Sequence, residues 1–118
     1  MTAQDVIDDV RQHLRDDTAG NYRWTDATLL VHLSDAERQF YQMRPDLFLT
    51  SSSTMDTPVD LTDVGDTLKL DEDNRKALVS WVSALALEED AADEANLARA
   101  VSLKNNVLRR LGVAANGY

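Results

Sequence analysis

Residues 23–45 read RWTDATLLVHLSDAERQFYQMRP, and this one run holds a helix start, a helical period and a stop. Thr25 is an N-cap, Asp26 puts negative charge in the first turn, and Trp24 and Leu29 stand at the N′ and N4 positions of a hydrophobic staple. Leu29, Leu33, Ala36, Phe40 and Met43 recur at spacings of three and four, flanked by Leu30 and Tyr41, while Asp35, Arg38 and Gln42 point the other way. Pro45 disfavours helical geometry at Arg44 and has no amide to continue the ladder, so the element stops there. The run predicts the central helix, the one on which the rest of the chain packs.

Outward from that helix, 118 residues with 43% hydrophobic content make one domain with a single core. With aromatics at only 6%, that core is built from Leu, Val and Ala. The net charge of −9 argues against adhesion to a phosphate backbone, which depends on Lys and Arg. The imbalance is shared by both halves, with 10 acids and 5 bases in residues 1–59 and 11 and 7 in residues 60–118, so neither half is a separate basic module. Zero cysteines remove disulfides and thiolate zinc sites and suit a reducing cytoplasm. The acidic first helix is no signal peptide and no apolar run is long enough to span a bilayer, so a soluble protein is expected.

Upstream, Thr2 to Asp5 has the form of a capping box, and Ala3, Ile7, Val10 and Leu14 make the apolar stripe of a first helix, with Val6 beside it. Asp8, Asp9, Arg11, Gln12 and Arg15 are assigned to its wet side. Downstream, Leu49 to Pro58 (LTSSSTMDTP) has no helical period and reads as an exposed excursion. Val59, Leu61, Leu68 and Leu70 alternate weakly around Gly65, which suggests a hairpin. The irregular insertion as a whole covers about residues 46–70. Counting Asp60 as the first position of a calcium loop puts Gly65 sixth and Asp71 twelfth, but Thr62 and Val64 stand where ligands belong, so a solvated acidic loop is the better reading.

Asp71, Glu72 and Asp73 favour the start of a third helix whose inward face is Leu78, Val82 and Leu85, with Trp81 and Ala86 alongside. Leu87 lies almost opposite that stripe and reads either as part of a second contact surface or as a lone exposed leucine. Glu88, Glu89 and Asp90 crowd the end of this helix, and a bend at residues 90–94 sets them beside Asp93 and Glu94. Five carboxylates at one tip are a hydrated end, a polar channel lining or a dock for a basic partner. In the fourth helix Leu97, Ala100, Val101, Leu108 and Leu111 form the stripe and Gly112 is placed for a C′ cap. Beyond it Val113, Ala114, Ala115, Asn116, Gly117 and Tyr118 carry no charged side chain, and read either as an arm that grips a neighbouring protein or as a tail folded back on its own bundle. The expected fold is all-α, a four-helix bundle whose core includes Trp24, Leu29, Leu33, Phe40, Leu78, Val82, Leu85, Val101 and Leu108.

Catalytic chemistry is not visible. His13 and His32 stand on different helices with no second histidine at i+4, and His32 with Asp35 at i+3 has no nucleophile motif beside it. No metal, cofactor or enzymatic activity is expected, and the chain reads as one that works through its surfaces.

The combination RWTDATLLVHLSDAERQFYQMRPDL, followed by LDEDNRKALVSWVSALALEEDAADEANLARAVSLKNNVLRRLG, resembles the small head-to-tail adaptor (connector, head-completion) proteins of tailed bacteriophages over most of the chain. The order of parts is similar, with a variable loop between the second and third helices. The resemblance implies a structural virion protein made in the host cytoplasm. In such proteins a ring, usually of twelve copies, sits beneath the portal protein and joins the filled head to a tail or nozzle protein. It also implies an axial channel through which DNA passes without adhering. Leu87 and residues 113–115 are candidate pieces of the two unlike faces a ring subunit needs, and the arm would then hold the portal or the adjacent subunit. The rival reading is a small acidic regulator or DNA mimic that binds a basic partner.

Overall fold

The computed structural model describes residues 1–16, 20, 22–89 and 94–112. The order is α1 (Ala3–Leu14), α2 (Asp26–Met43), α3 (Arg75–Glu89) and α4 (Glu94–Leu111), with short 3-10 turns at Pro45–Phe48 and Glu72–Asn74. The fold is an all-α four-helix bundle with an irregular segment between α2 and α3.

Local chemistry sets the helix ends. In α1 the Thr2 hydroxyl accepts the Asp5 amide and the Asp5 carboxylate accepts the Thr2 amide, the reciprocal capping box. In α2 the Thr25 side chain accepts the Thr28 amide, and Trp24 and Leu29 are both buried as the staple requires. Arg44 leaves the helical region at φ −141°, and Pro45 then opens the first 3-10 turn. Gly112 closes α4 at φ +71°, the left-handed geometry that a residue without a Cβ adopts at least cost.

The centre of the bundle is α3, not α2. It packs against α1, α2 and α4, whereas α4 packs mainly on α3, with single side-chain bonds from Arg99 to the His13 carbonyl of α1 and from Arg44, at the end of α2, to the Leu111 carbonyl. A helix covered on several sides is apolar all round, and α3 accordingly buries Ala77, Leu78, Trp81, Val82, Ser83, Ala84, Ala86 and Leu87. Leu87, expected at a surface, is 3% exposed and belongs to the core. The converse holds on α4. Leu97 and Val101, expected inside, are 44% and 53% exposed, because the buried line runs through Ala100, Val107, Leu108 and Leu111. Leu85 is half-buried against the core, and the remaining predicted core residues are buried. Phe40 and Trp81 meet edge to face, centroids 5.9 Å apart, at the α2–α3 contact.

The segment between α2 and α3 departs from the expected hairpin around Gly65. Residues 61–70 instead form a strap across the start of α1. The Ala3 and Gln4 amides donate to the Asp66 and Val64 carbonyls at 2.9 and 2.7 Å, and the Leu68 amide donates to the Met1 carbonyl at 3.0 Å. The hairpin-like piece lies earlier, in the Ser/Thr run. There Leu49 and Met55 form an antiparallel bridge, Thr50 N–H donates to Thr54 O at 2.7 Å, and Asp56 N–H donates to Phe48 O at 2.8 Å.

Candidate interaction surfaces

Two of the five carboxylates of the acidic tip, Glu88 and Glu89, find partners within the protomer. Glu88 Oε1 lies 2.6 Å from Lys104 Nζ on α4, and Glu89 Oε2 lies 2.8 Å from His32 Nε2 on α2. His32 therefore pairs across the bundle with Glu89, while Asp35 pairs along its own helix with Arg38. Glu88 and Glu89 tie α3 to its neighbours while remaining partly exposed at the tip. Asp90 and Asp93 lie outside the described residues, as do Val113, Ala114, Ala115, Asn116, Gly117 and Tyr118.

A second polar cluster joins α1 to the entry of α2. Arg11, assigned from the sequence to the wet side, is 4% exposed. Its guanidinium donates to Asp16 Oδ2 at 3.0 Å, to the Trp24 carbonyl at 2.9 Å and to Asp26 Oδ1 at 2.6 Å, and lies 3.6 Å from the Tyr22 ring centroid. Asp16 also accepts the amides of Arg23 and Trp24. A buried charge needs partners of this kind, and here they fix the direction in which the chain enters α2. One signal was in the sequence: Arg11 stands four residues after Ile7 and next to Val10, inside the apolar face.

The same logic anchors the segment between α2 and α3. Ser34 Oγ accepts the Leu61 amide at 3.0 Å, and the buried Glu37 accepts the amides of Lys69 and Leu70, both at 3.0 Å, through Oε2. The second Glu37 oxygen has no hydrogen-bond partner. Burial raises this carboxyl above its ordinary value, against the opposing pull of the two amides. Asp66 is shifted the opposite way, held low by the Thr62 and Asp63 amides. Arg38 pairs with Asp60, which removes the first residue of the calcium-loop register. Phe48 is buried against Tyr41, edge to face at 5.5 Å.

On these anchors the loop presents an apolar knob. Leu49 and Met55 face each other across the bridge and are 55% and 41% exposed, backed by a 2.7 Å contact between the Thr50 and Thr54 hydroxyls. Val59 is exposed nearby in sequence. On α4 the exposed apolar pair is Leu97 and Val101, one helical turn apart, and on α2 it is Val31 alone.

A groove of about 750 Å³ lies between α1, α3 and the end of α4 and includes His13, Arg75, Lys76 and Arg110 in its lining. Arg75 is engaged there by Asp9 at 2.7 Å and Glu72 at 2.9 Å. His13 Nδ1 is 3.0 Å from Ser83 Oγ, but that hydroxyl donates to the Val79 carbonyl at 2.8 Å and Ser83 is fully buried. It is a helix back-bond with no access for a substrate. Burial, with Arg99 as a lesser cause, lowers the His13 pKa. Among the described residues no group of three or more Asp, Glu or His could hold a metal ion, and no helix is long and apolar enough to cross a membrane.

No family model, curated protein or solved structure matches this chain.

Proposed function

We propose that this chain is a head-to-tail adaptor of a tailed bacteriophage, a ring subunit that sits beneath the portal protein and joins the head to a tail or nozzle protein in the virion. The observation that carries the reading is that the exposed large apolar residues include, besides Tyr22 and Val31, two unlike sets. Leu97 and Val101 stand on α4, and Leu49, Met55 and Val59 stand on the loop between α2 and α3. A cyclic ring is built from heterologous contacts, and each subunit needs two different faces for them. The net charge of −9 supports the second half of the function, because an acidic wall repels phosphate and lets DNA pass without sticking. The number of copies, twelve in the proteins this sequence resembles, follows from the angle between the two faces.

Size-exclusion chromatography with light scattering, run with and without purified portal protein, tests the proposal. A portal-dependent shift to a ring-sized complex is expected. A chain that stays monomeric or dimeric with portal present and binds a basic protein instead would place it with the acidic regulators.

A further inference from the structure

Helices α1 and α4 each pack on α3 and do not pack on one another, so the groove of about 750 Å³ lies between them with α3 as its floor. Arg99 reaches from α4 to the His13 carbonyl of α1 at 3.1 Å. The charge balance of the groove opposes that of the molecule. Arg75, Lys76 and Arg110 line it against Asp9 and Glu72, a surplus of one cation on a chain whose net charge is −9. Both carboxylates are already engaged by Arg75, at 2.7 and 2.9 Å. Lys76 and Arg110 are exposed, and among the described residues neither has a hydrogen-bond or ion-pair partner. Lys76 is also the second residue of α3, where the helix macrodipole disfavours a cation. Uncompensated breaks of a local rule collect at functional sites.

We propose that this groove takes an acidic peptide segment of a partner protein, two of whose carboxylates pair with Lys76 and Arg110 while the chain between them lies on Val79 and Ser80. A phosphate polymer is a poorer fit, because Asp9 and Glu72 stay in the lining and, with the acidic molecule around them, repel an evenly charged backbone. The floor offers apolar Val79 and small Ser80, with Gln12 exposed on the α1 side, a surface for a chain rather than for a lone ion. His13 extends the site. The one hydroxyl hydrogen of Ser83 goes to the Val79 carbonyl, so His13 Nδ1 donates to Ser83 Oγ, and Nε2 has no partner among the described residues. The charged groups around the ring are Arg99 and Arg110 from α4, Arg75 and Lys76 from α3, and Asp9 from α1. A bound carboxylate offsets that cationic surrounding and favours the imidazolium. The site does not depend on the adaptor reading.

Nuclear magnetic resonance of the full chain at low salt tests it. The probes are a short blocked peptide with two glutamates, its glutamine counterpart and inorganic phosphate. The glutamate peptide is expected to shift the amide signals of Gln12, His13, Lys76 and Arg110 and to raise the pKa of the His13 ring. Lys76→Gln with Arg110→Gln should weaken binding at least about tenfold, the loss implied by one missing charge-assisted hydrogen bond. Arg38→Gln on α2, outside the lining, should not. Both variants alter side chains outside the core and should keep the parent's thermal midpoint, and added salt should weaken the peptide further. Equal affinity in the double variant, equal binding of the glutamine peptide, or a titration that moves none of these signals overturns the site. Phosphate that binds as tightly as the peptide reduces it to a small-anion site and overturns the peptide. Portal binding is read separately and is untouched by either result.

Discussion

Glu37 holds Leu70: one carboxylate oxygen, buried on α2, accepts the Leu70 amide at 3.0 Å and the Lys69 amide at the same distance. This clasp ties the end of the loop to the bundle just before α3 begins. Glu37→Ala leaves two amides without their acceptor, at a cost of about 1 to 3 kcal/mol each if water does not reach them. Chemical denaturation that finds no loss contradicts the clasp.

The pH dependence of that clasp has a definite sign. The folded-state pKa of Glu37 is raised above the ordinary 4.5, so its contribution to stability is complete below the unfolded value and is lost as pH rises through the folded one. Glu37→Gln keeps an acceptor and cannot ionise. Its stability relative to the parent should therefore improve from mildly acidic to neutral pH. Denaturation midpoints that move in the parent's favour over that interval would mean the amides, not burial, dominate the carboxyl.

Arg11→Ala should be among the most damaging single changes. It strands Asp16, 7% exposed, and frees the Trp24 carbonyl. Breaking a buried pair from one side costs about 3 to 5 kcal/mol. The double variant with Asp16→Asn should recover part of the loss. Urea titration of the single and double variants measures both effects, and strictly additive losses would rule out the pairing.

Leu87→Ala tests where this side chain works. Removal of a leucine from a packed core costs about 2 to 5 kcal/mol. A thermal midpoint equal to the parent's, combined with weakened self-association, would return Leu87 to a surface role.

Arg44 joins two helix ends. Its guanidinium forks onto Asp46 at 2.9 and 2.7 Å and donates to the Leu111 carbonyl at 2.6 Å. Arg44→Ala should accelerate amide hydrogen exchange in the last turn of α4 while leaving α1 unchanged. Arg44→Lys should restore little, because an ammonium cannot form the fork and reach Leu111 together. Protection factors for residues 107–111 decide it.

What could be read in advance was local. The Thr2–Asp5 box, the Thr25 cap, the stop at Pro45 and the turn at Gly112 each depend on residues within one helical turn, and all four are present. Period also identified the apolar faces, but it does not say how many neighbours a helix has. That missing fact exchanged Leu87 for Leu97 and Val101: α3 packs against α1, α2 and α4, whereas α4 packs mainly on α3. Polar residues with distant partners were illegible for the same reason. Glu37 meets Leu70 33 positions away, and Glu89 meets His32 57 positions away. The Ser/Thr turn was missed because Ser53 takes φ +64° without a glycine to mark it.

The strap that crosses Met1 to Gln4 has a consequence for synthesis. Helix α1 has 12 residues, too few to persist without packing, and its seat consists of α2, residues 64–68 and α3. During synthesis α1 therefore lacks a complete packing surface until α3, which ends at Glu89, has followed it. Closing so long a loop costs entropy before any contact offsets it, so α1, made before its seat, should be among the last elements to find its place.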